Sequence, residues 1–227
     1  DHGRSIRHCR PHHRCAPPRF LRQRPMRCFT THEGIAALLP KDDVDSDQIL
    51  PGAYLRGFKP DYAKGLFAYW RQEPGFILNQ SGYDKASILV AGQNFGCGST
   101  REQAVWAIER YGFRVIIALG FAEVFRENLL KNGILPVILA PEAHARVVEI
   151  AQRLGSGGQM TVDLASQRIT APGVDPVAFD IAATERTALI EGLDEIGLSL
   201  KQEAALAAYE ANSQAARPWQ QGFAKDF

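Results

Sequence analysis

The chain has 227 residues, 45% of them hydrophobic, enough apolar material for one or two domains with a sizeable core. Its formal net charge of +1 hides an asymmetry: seven of the 26 basic residues and one of the 25 acidic residues lie in residues 1–25, so the body from Met26 onward holds 19 basic against 24 acidic residues, about −5. A body of that sign argues against nucleic-acid binding, and no apolar run approaches the roughly 20 residues that cross a bilayer.

Residues 1–25 also hold four of the six His and four Pro, lack apolar periodicity, and are predicted to be a disordered basic extension. The preferred reading is upstream or expression-derived sequence ahead of a start at Met26. A basic arm and a transit peptide compete with it, although transit peptides are also Ser-rich and only Ser5 is present. His8, Cys9, His12, His13 and Cys15 match no zinc-finger spacing. The four cysteines (Cys9, Cys15, Cys28, Cys97) are scattered, so a reduced, cytoplasmic compartment is expected, with no metal held by this chain alone.

The body, residues 26–212, reads as one catalytic domain. Phe29 to Leu39 begins it as a strand and turn. Lys41 to Pro51 packs four acids into six positions. Asp43-x-Asp45-x-Asp47 mimics the start of an EF-hand loop, but Gln48 replaces the required glycine and Tyr54 stands where Glu is needed, so calcium is rejected. A solvated acidic loop competes with one pinned at both ends, which the immediate return to Ile49-Leu50-Pro51 favours. Tyr54-Leu55-Arg56-Gly57-Phe58-Lys59-Pro60 follows as an aromatic and basic loop, Tyr62 to Arg71 as a short helix, and Phe76 to Asn79 as a short extended stretch.

From there the pattern alternates: strand 86–91, helix 101–111, strand 113–119, helix 122–132, strand 134–139, helix 141–154. That order predicts parallel strands with crossover helices, and Gly112, Gly133 and Gly155 each close a helix. Gly155 to Gly158 reads as a flexible linker. Gln159 to Ala171 reads as a hairpin turning near Ala165-Ser166-Gln167, and 177–181 as a further strand. Helices at 184–193 and 201–212 close the domain, and residues 213–227 are expected to be a loose tail.

The richest stretch is Asn94-Phe95-Gly96-Cys97-Gly98-Ser99-Thr100-Arg101-Glu102, a strand-to-helix turn. Its glycines let backbone amides approach a ligand. A helix N-terminus attracts anions, and Arg101 in the first turn adds a guanidinium matched to carboxylate or phosphate. Ser99 then sits where an anion would lie. The competing reading is structural: Ser99-x-x-Glu102 is a capping box, in which the Ser hydroxyl serves the helix and nothing else. The stretch is neither a Walker loop nor G-x-G-x-x-G.

Four blocks resemble the small subunit of 3-isopropylmalate dehydratases, relatives of the aconitase swivelling domain, in the bacterial branch. They are Val44 to Pro51, Gly92 to Glu102, Phe121 to Asn128 with Asn132 to Pro136, and Gly192 to Leu198. The resemblance implies an α/β fold, a three-layer β/β/α swivelling domain with C-terminal helices. It implies a reversible dehydration and rehydration that moves a hydroxyl between adjacent carbons of a 2-hydroxy diacid. A [4Fe-4S] cluster on a separate large subunit binds the substrate hydroxyl as a Lewis acid, with no cofactor on this chain. Carried over by position, Ser99 abstracts the proton, Asp47 orients catalytic groups, and Thr100 and Arg101 bind substrate carboxylate beside Gly98. The loop holding Tyr54, Leu55 and Arg56 reaches the distal end of the substrate, with Tyr54 and Leu55 towards an alkyl group. Thr100 stands where Ser is usual, Gln103 where His is usual and Asn94 where Asp is common. The same chemistry on another short 2-hydroxy diacid (citraconate, 2-methylmalate or homoaconitate type) is the alternative substrate reading. A stand-alone anion-binding module is the alternative of another class.

Overall fold

The computed structural model describes residues 26–56 and 61–193, with a few single positions beyond. Most of the expected helix at 201–212, the Gly57–Pro60 part of the loop, the basic extension and most of the tail lie outside the described residues.

Apolar residues on both sides of each central strand force a buried sheet. β1 (Thr31–Leu39), β2 (Ala86–Ala91), β3 (Val115–Ala118) and β4 (Leu135–Ile138) run parallel as neighbours. Their alternate side chains divide between two cores. Ala37, Leu89 and Ile116 belong to one, and Ala36, Ile88, Val90, Val115 and Ile117 to the other. The first core is covered by α1 (Ser46–Ile49), α2 (Tyr62–Gly65), α3 (Glu102–Tyr111) and α4 (Glu123–Lys131). Against the second pack α5 (Pro141–Leu154), α6 (Ala183–Glu191) and the antiparallel strands β5 (Met160–Asp163), β6 (Arg168–Thr170) and β7 (Val177–Ala178). The seven strands lie in the order β4-β3-β2-β1-β5-β6-β7. This is the three-layer β/β/α architecture that the resemblance implied.

β1 joins the two halves. Thr31–Gly34 pair antiparallel with β5 and Ile35–Leu39 parallel with β2, with a register shift between Ile35 and Ala36. Gly34 lies at that seam, where a Cβ would collide with the Ser87 hydroxyl. Beside it, His32 Nε2 bonds Ser87 Oγ at 2.8 Å. Burial first, then the charges of Arg114 and Arg27, hold His32 below its ordinary pKa.

Two local expectations are overturned. Tyr62 to Arg71 is not one helix. α2 stops at Gly65, and a 3-10 turn covers Trp70–Gln72. Phe67 between them takes φ +51 and is fully buried, its N–H donating to Ile49 O at 2.8 Å. Its ring stacks on Trp70 and meets Phe76 edge-on. Burial of a large aromatic ring outweighs roughly 1–3 kcal/mol of backbone strain. Phe76 to Asn79 is likewise not extended, since Ile77–Asn79 form a 3-10 turn that buries Leu78.

Candidate active site

β2 ends at Ala91, and α3 begins only at Glu102. In the intervening turn positive φ recurs at every second residue: Asn94 (+54), Gly96 (+79), Gly98 (+81) and Thr100 (+48). Alternating backbone handedness turns successive N–H groups to one side and makes a concavity for an anion or a carbonyl oxygen. The first half of that concavity is already filled. Gly96 N and Cys97 N donate to Val44 O at 2.7 and 3.2 Å, and Phe95 N donates to Gly120 O. The expected approach of a ligand to both glycines is therefore corrected. Gly96 builds the turn, and the amides from Gly98 to Arg101 are the ones that donate to no described residue. Gly96 has a second reason to lack a side chain, because a Cβ there would enter the Phe125 ring on α4.

The Val44 contact brings a second segment to the turn. Asp45 pairs with Cys97 in a parallel bridge, and Ser46 N donates to Cys97 O at 3.1 Å. Asp45 caps α1: its Oδ1 accepts from Gln48 N at 2.7 Å, and Gln48 Oε1 accepts from Asp45 N at 2.9 Å. That is a complete capping box. The competing one at Ser99 and Glu102 does not form, because Arg101 is the N-cap of α3 and no side chain caps that helix. Ser99 is thereby released from helix duty.

Its hydroxyl does something else. Ser99 Oγ lies 2.9 Å from Ser46 Oγ and accepts from Arg101 Nε at 3.1 Å. Arg101 in turn ion-pairs through Nη2 with Asp47 Oδ1. Ser46, Asp47, Ser99 and Arg101 thus form one chain of contacts, with Ser99 and Asp47 exposed, Arg101 half-buried and Ser46 buried. The structure joins Ser99, Arg101 and Asp47 directly, while Gly98 and Thr100 flank Ser99 in the same turn. Thr100 O accepts from Asn128 Nδ2 on α4 at 3.4 Å. A β-branched residue at φ +48 is strained, and such strain clusters at sites where the surroundings over-determine the backbone.

The acids between β1 and α1 are each engaged. Asp42 Oδ1 accepts from Gln93 N at 2.7 Å, and Asp43 Oδ1 accepts from Asn94 Nδ2 at 2.8 Å. The loop is pinned, although Asp42 and Asp43 remain exposed. Asp45 and Asp43 add to burial in pushing the Cys97 thiol above its ordinary pKa, burial being the larger cause. Asn94, standing where the family pattern has an acid, is thus a donor to an acid across the turn.

Tyr54 and Leu55 lie in a 3-10 turn, Gly52–Leu55, and Arg56 is its exposed C-cap. Tyr54 rests over Gly65 and is 38% exposed, whereas Leu55 packs against the first core. None of the three hydrogen-bonds or ion-pairs with the Ser99 cluster among the described residues. No three His, Cys, Asp or Glu side chains stand together as metal ligands among the described residues, where the cysteines are Cys28 and Cys97. The described residues therefore do not fit an iron–sulfur cluster.

Ser46 and Asp45 carry parts of this site that sequence reading did not assign. The Asp45-x-x-Gln48 spacing was a signal for the cap. Nothing local pointed to the contact between Ser46 and Ser99, 53 residues apart.

A curled mixed sheet with a strand-to-helix turn that carries an exposed serine beside an arginine defines a swivelling domain of the aconitase type. Residues 26–142 match the family described as the aconitase C-terminal domain, and residues 195–223 match the C-terminal domain of the 3-isopropylmalate dehydratase small subunit. The 3-isopropylmalate dehydratase small subunit of Xanthobacter autotrophicus is 44% identical over 201 residues, covering 86% of this chain and all of the relative. Those of Allorhizobium ampelinum and Brucella canis are each 42% identical, over 86% and 84% of this chain and 100% and 98% of theirs. A crystal structure of 3-isopropylmalate dehydratase from Methanocaldococcus jannaschii superposes with a TM-score of 0.57 at 29% identity, covering 79% of this chain and 99% of that one. The chain belongs to the 3-isopropylmalate dehydratase small-subunit family within the aconitase superfamily.

Proposed function

We propose that the chain acts as the small subunit of a hydro-lyase that interconverts 2-isopropylmalate and 3-isopropylmalate in leucine biosynthesis. The observation that carries the reading is the state of Ser99: exposed, free of helix capping, and held by an arginine that is itself held by Asp47. A stand-alone anion-binding module has no use for a hydroxyl fixed in that way.

The chemistry of this chain's own residues follows. A serine oxygen serves as a base only if its anion is stabilised. Arg101 Nε–H donates to Ser99 Oγ, and the amides from Gly98 to Arg101 stand at the same end of α3, where the helix dipole favours negative charge. Ser99 takes a proton from the substrate carbon next to the one bearing the hydroxyl. The C–H electron pair becomes the double bond, and the hydroxyl departs into the partner's half of the site. Rehydration at the neighbouring carbon runs the steps in reverse. Thr100 and Arg101 receive the substrate carboxylate, and Asp47 fixes the guanidinium. The Tyr54–Arg56 turn meets the distal group, and with Leu55 packed against the first core the exposed Tyr54 and Arg56 are the side chains left to meet it.

The partner in this reading is a large subunit that carries the [4Fe-4S] cluster. Among the described residues no helix is long and apolar enough to cross a membrane. The testing experiment is co-expression with a large subunit that holds three cluster cysteines, followed by assay on a panel of 2-hydroxy diacids. Turnover of isopropylmalate by the pair and by neither chain alone is expected. Turnover of only 2-methylmalate-type or homoaconitate-type substrates would move the assignment to the alternatives.

A further inference from the structure

Among the described residues, two polar or charged side chains are buried: Arg114 and Ser46, the latter 1% exposed. Burying a hydroxyl without a partner is costly, so a buried serine normally satisfies its hydroxyl through a cap or a nearby backbone carbonyl. Ser46 does neither. The capping of α1 is complete without it, since Asp45 and Gln48 supply both bonds. Its backbone is committed elsewhere, with N–H donating to Cys97 O and its carbonyl accepting from Leu50 N. Its hydroxyl has one described partner, Ser99 Oγ. Neither packing nor helix chemistry explains a hydroxyl at 46, where alanine would serve both.

The donor arithmetic at Ser99 explains it. Arg101 Nε can only donate, so Ser99 Oγ is an acceptor on that side whatever its own protonation. When Ser99 Oγ carries negative charge it has no proton to give, and the Ser46 bond can persist only with Ser46 as donor. The bridge between Asp45 and Cys97, with the Ser46 N bond to Cys97 O, holds the two oxygens in register across segments remote in sequence. We propose that Ser46 is a positioning residue for Ser99: its buried hydroxyl donates to the Ser99 oxygen, lowers the free energy of the anion and fixes the lone pair aimed at the substrate. This rests on the reading of Ser99 as the proton acceptor. Ser46 itself neither touches substrate nor takes its proton.

Two measurements test it. In the complex with the large subunit, Ser46→Ala is expected to lower kcat about tenfold with KM within about twofold. The rising limb of the kcat–pH profile should move up by about one pH unit, the equivalent of that loss. Ser46→Thr, which keeps the hydroxyl, restores most of the rate. Ser46→Cys, should alanine fail to assemble, gives a smaller change in the same direction. A replacement that leaves kcat and the pH profile at wild-type values overturns the proposal, as does one that lowers rate with no movement of the profile. Ser99→Ala run alongside separates the two readings. Activity retained there defeats the serine base itself, whereas a dead Ser99→Ala beside a wild-type Ser46→Ala defeats only the role of Ser46.

The second measurement needs no turnover. In Ser99→Cys the rate of iodoacetamide alkylation at position 99, followed against pH by peptide mass spectrometry, reports the titration of an anion held in the same place. Adding Ser46→Ala is expected to raise that titration by about one pH unit. Identical titration with and without the Ser46 hydroxyl contradicts the proposal.

Discussion

The ring of Phe125 on α4 occupies the space that a side chain at Gly96 would need. Phe125 is fully buried and meets Phe95 edge-on at 5.9 Å, so it cannot withdraw without opening the first core. The turn that presents Ser99 is in this way set by a helix that carries none of the proposed catalytic groups. Gly96→Ala meets both a positive φ and a steric clash. We expect a loss on the order of 2–4 kcal/mol, read as a lower urea midpoint, together with loss of turnover in the complex.

Asp45→Ala removes a complete capping box from α1. The expected cost is about 0.5–2 kcal/mol, measurable by chemical denaturation. Because α1 carries both Ser46 and Asp47, turnover should fall as well. Ser99→Ala, which caps nothing, should lower the denaturation midpoint only through the buried Ser46 hydroxyl it leaves without its partner, a loss that the Ser46→Ala, Ser99→Ala double variant should recover. A loss that persists in the double variant would return Ser99 to a structural role.

What could be read before the fold was known, and what could not, divides at the range of the interactions. β2 and α5 have the bounds that their apolar patterns and the Pro141 start predicted, and the hairpin turns near Gln167, at φ +53, as expected. These are local signals. Phe67 breaks a helical pattern because of a core assembled from distant residues, and a short window contains no trace of that. At the site, the glycine-rich strand-to-helix turn carrying Ser99 and Arg101 was legible locally, and the fold brings the two side chains into contact. Yet Ser99-x-x-Glu102 and Asp45-x-x-Gln48 offered the same kind of cap, and only the fold shows that the second forms and the first does not. The Val44 carbonyl that fills half the turn, and the Ser46 hydroxyl under Ser99, are products of tertiary contact.

His32 supplies a pH dependence whose sign is fixed. Its folded pKa lies below the ordinary value of 6.5, chiefly through burial. The unfolded chain therefore binds more protons than the folded one as pH falls through 6.5. The His32 contribution to stability is thus present above that pH and lost as pH drops below it. Urea midpoints of the wild type and His32→Gln, compared between about pH 8 and about pH 5, should show a steeper decline in the wild type. Parallel curves would contradict a His32 whose charged form is disfavoured by its half-buried position.

Arg126 on α4 and Glu185 on α6 make a two-pronged ion pair, with both bonds at 2.7 Å and both side chains 24% exposed. Arg126→Ala leaves a partly desolvated carboxylate alone and is expected to cost about 1–3 kcal/mol. Glu185→Gln keeps the shape and one acceptor and should cost less. Thermal unfolding at low and high salt checks the ordering. Equal, negligible losses would make the pair a solvated surface contact.

The most direct test of Ser99 as the proton acceptor is the turnover of Ser99→Ala in the complex with its large subunit. Folding and assembly should match the wild type, because the capping of α1 and the Gly96 contacts are untouched. Loss of a positioned base should reduce kcat on the order of 100-fold or more. A complex of Ser99→Ala that assembles normally and keeps most of the wild-type kcat would contradict the account.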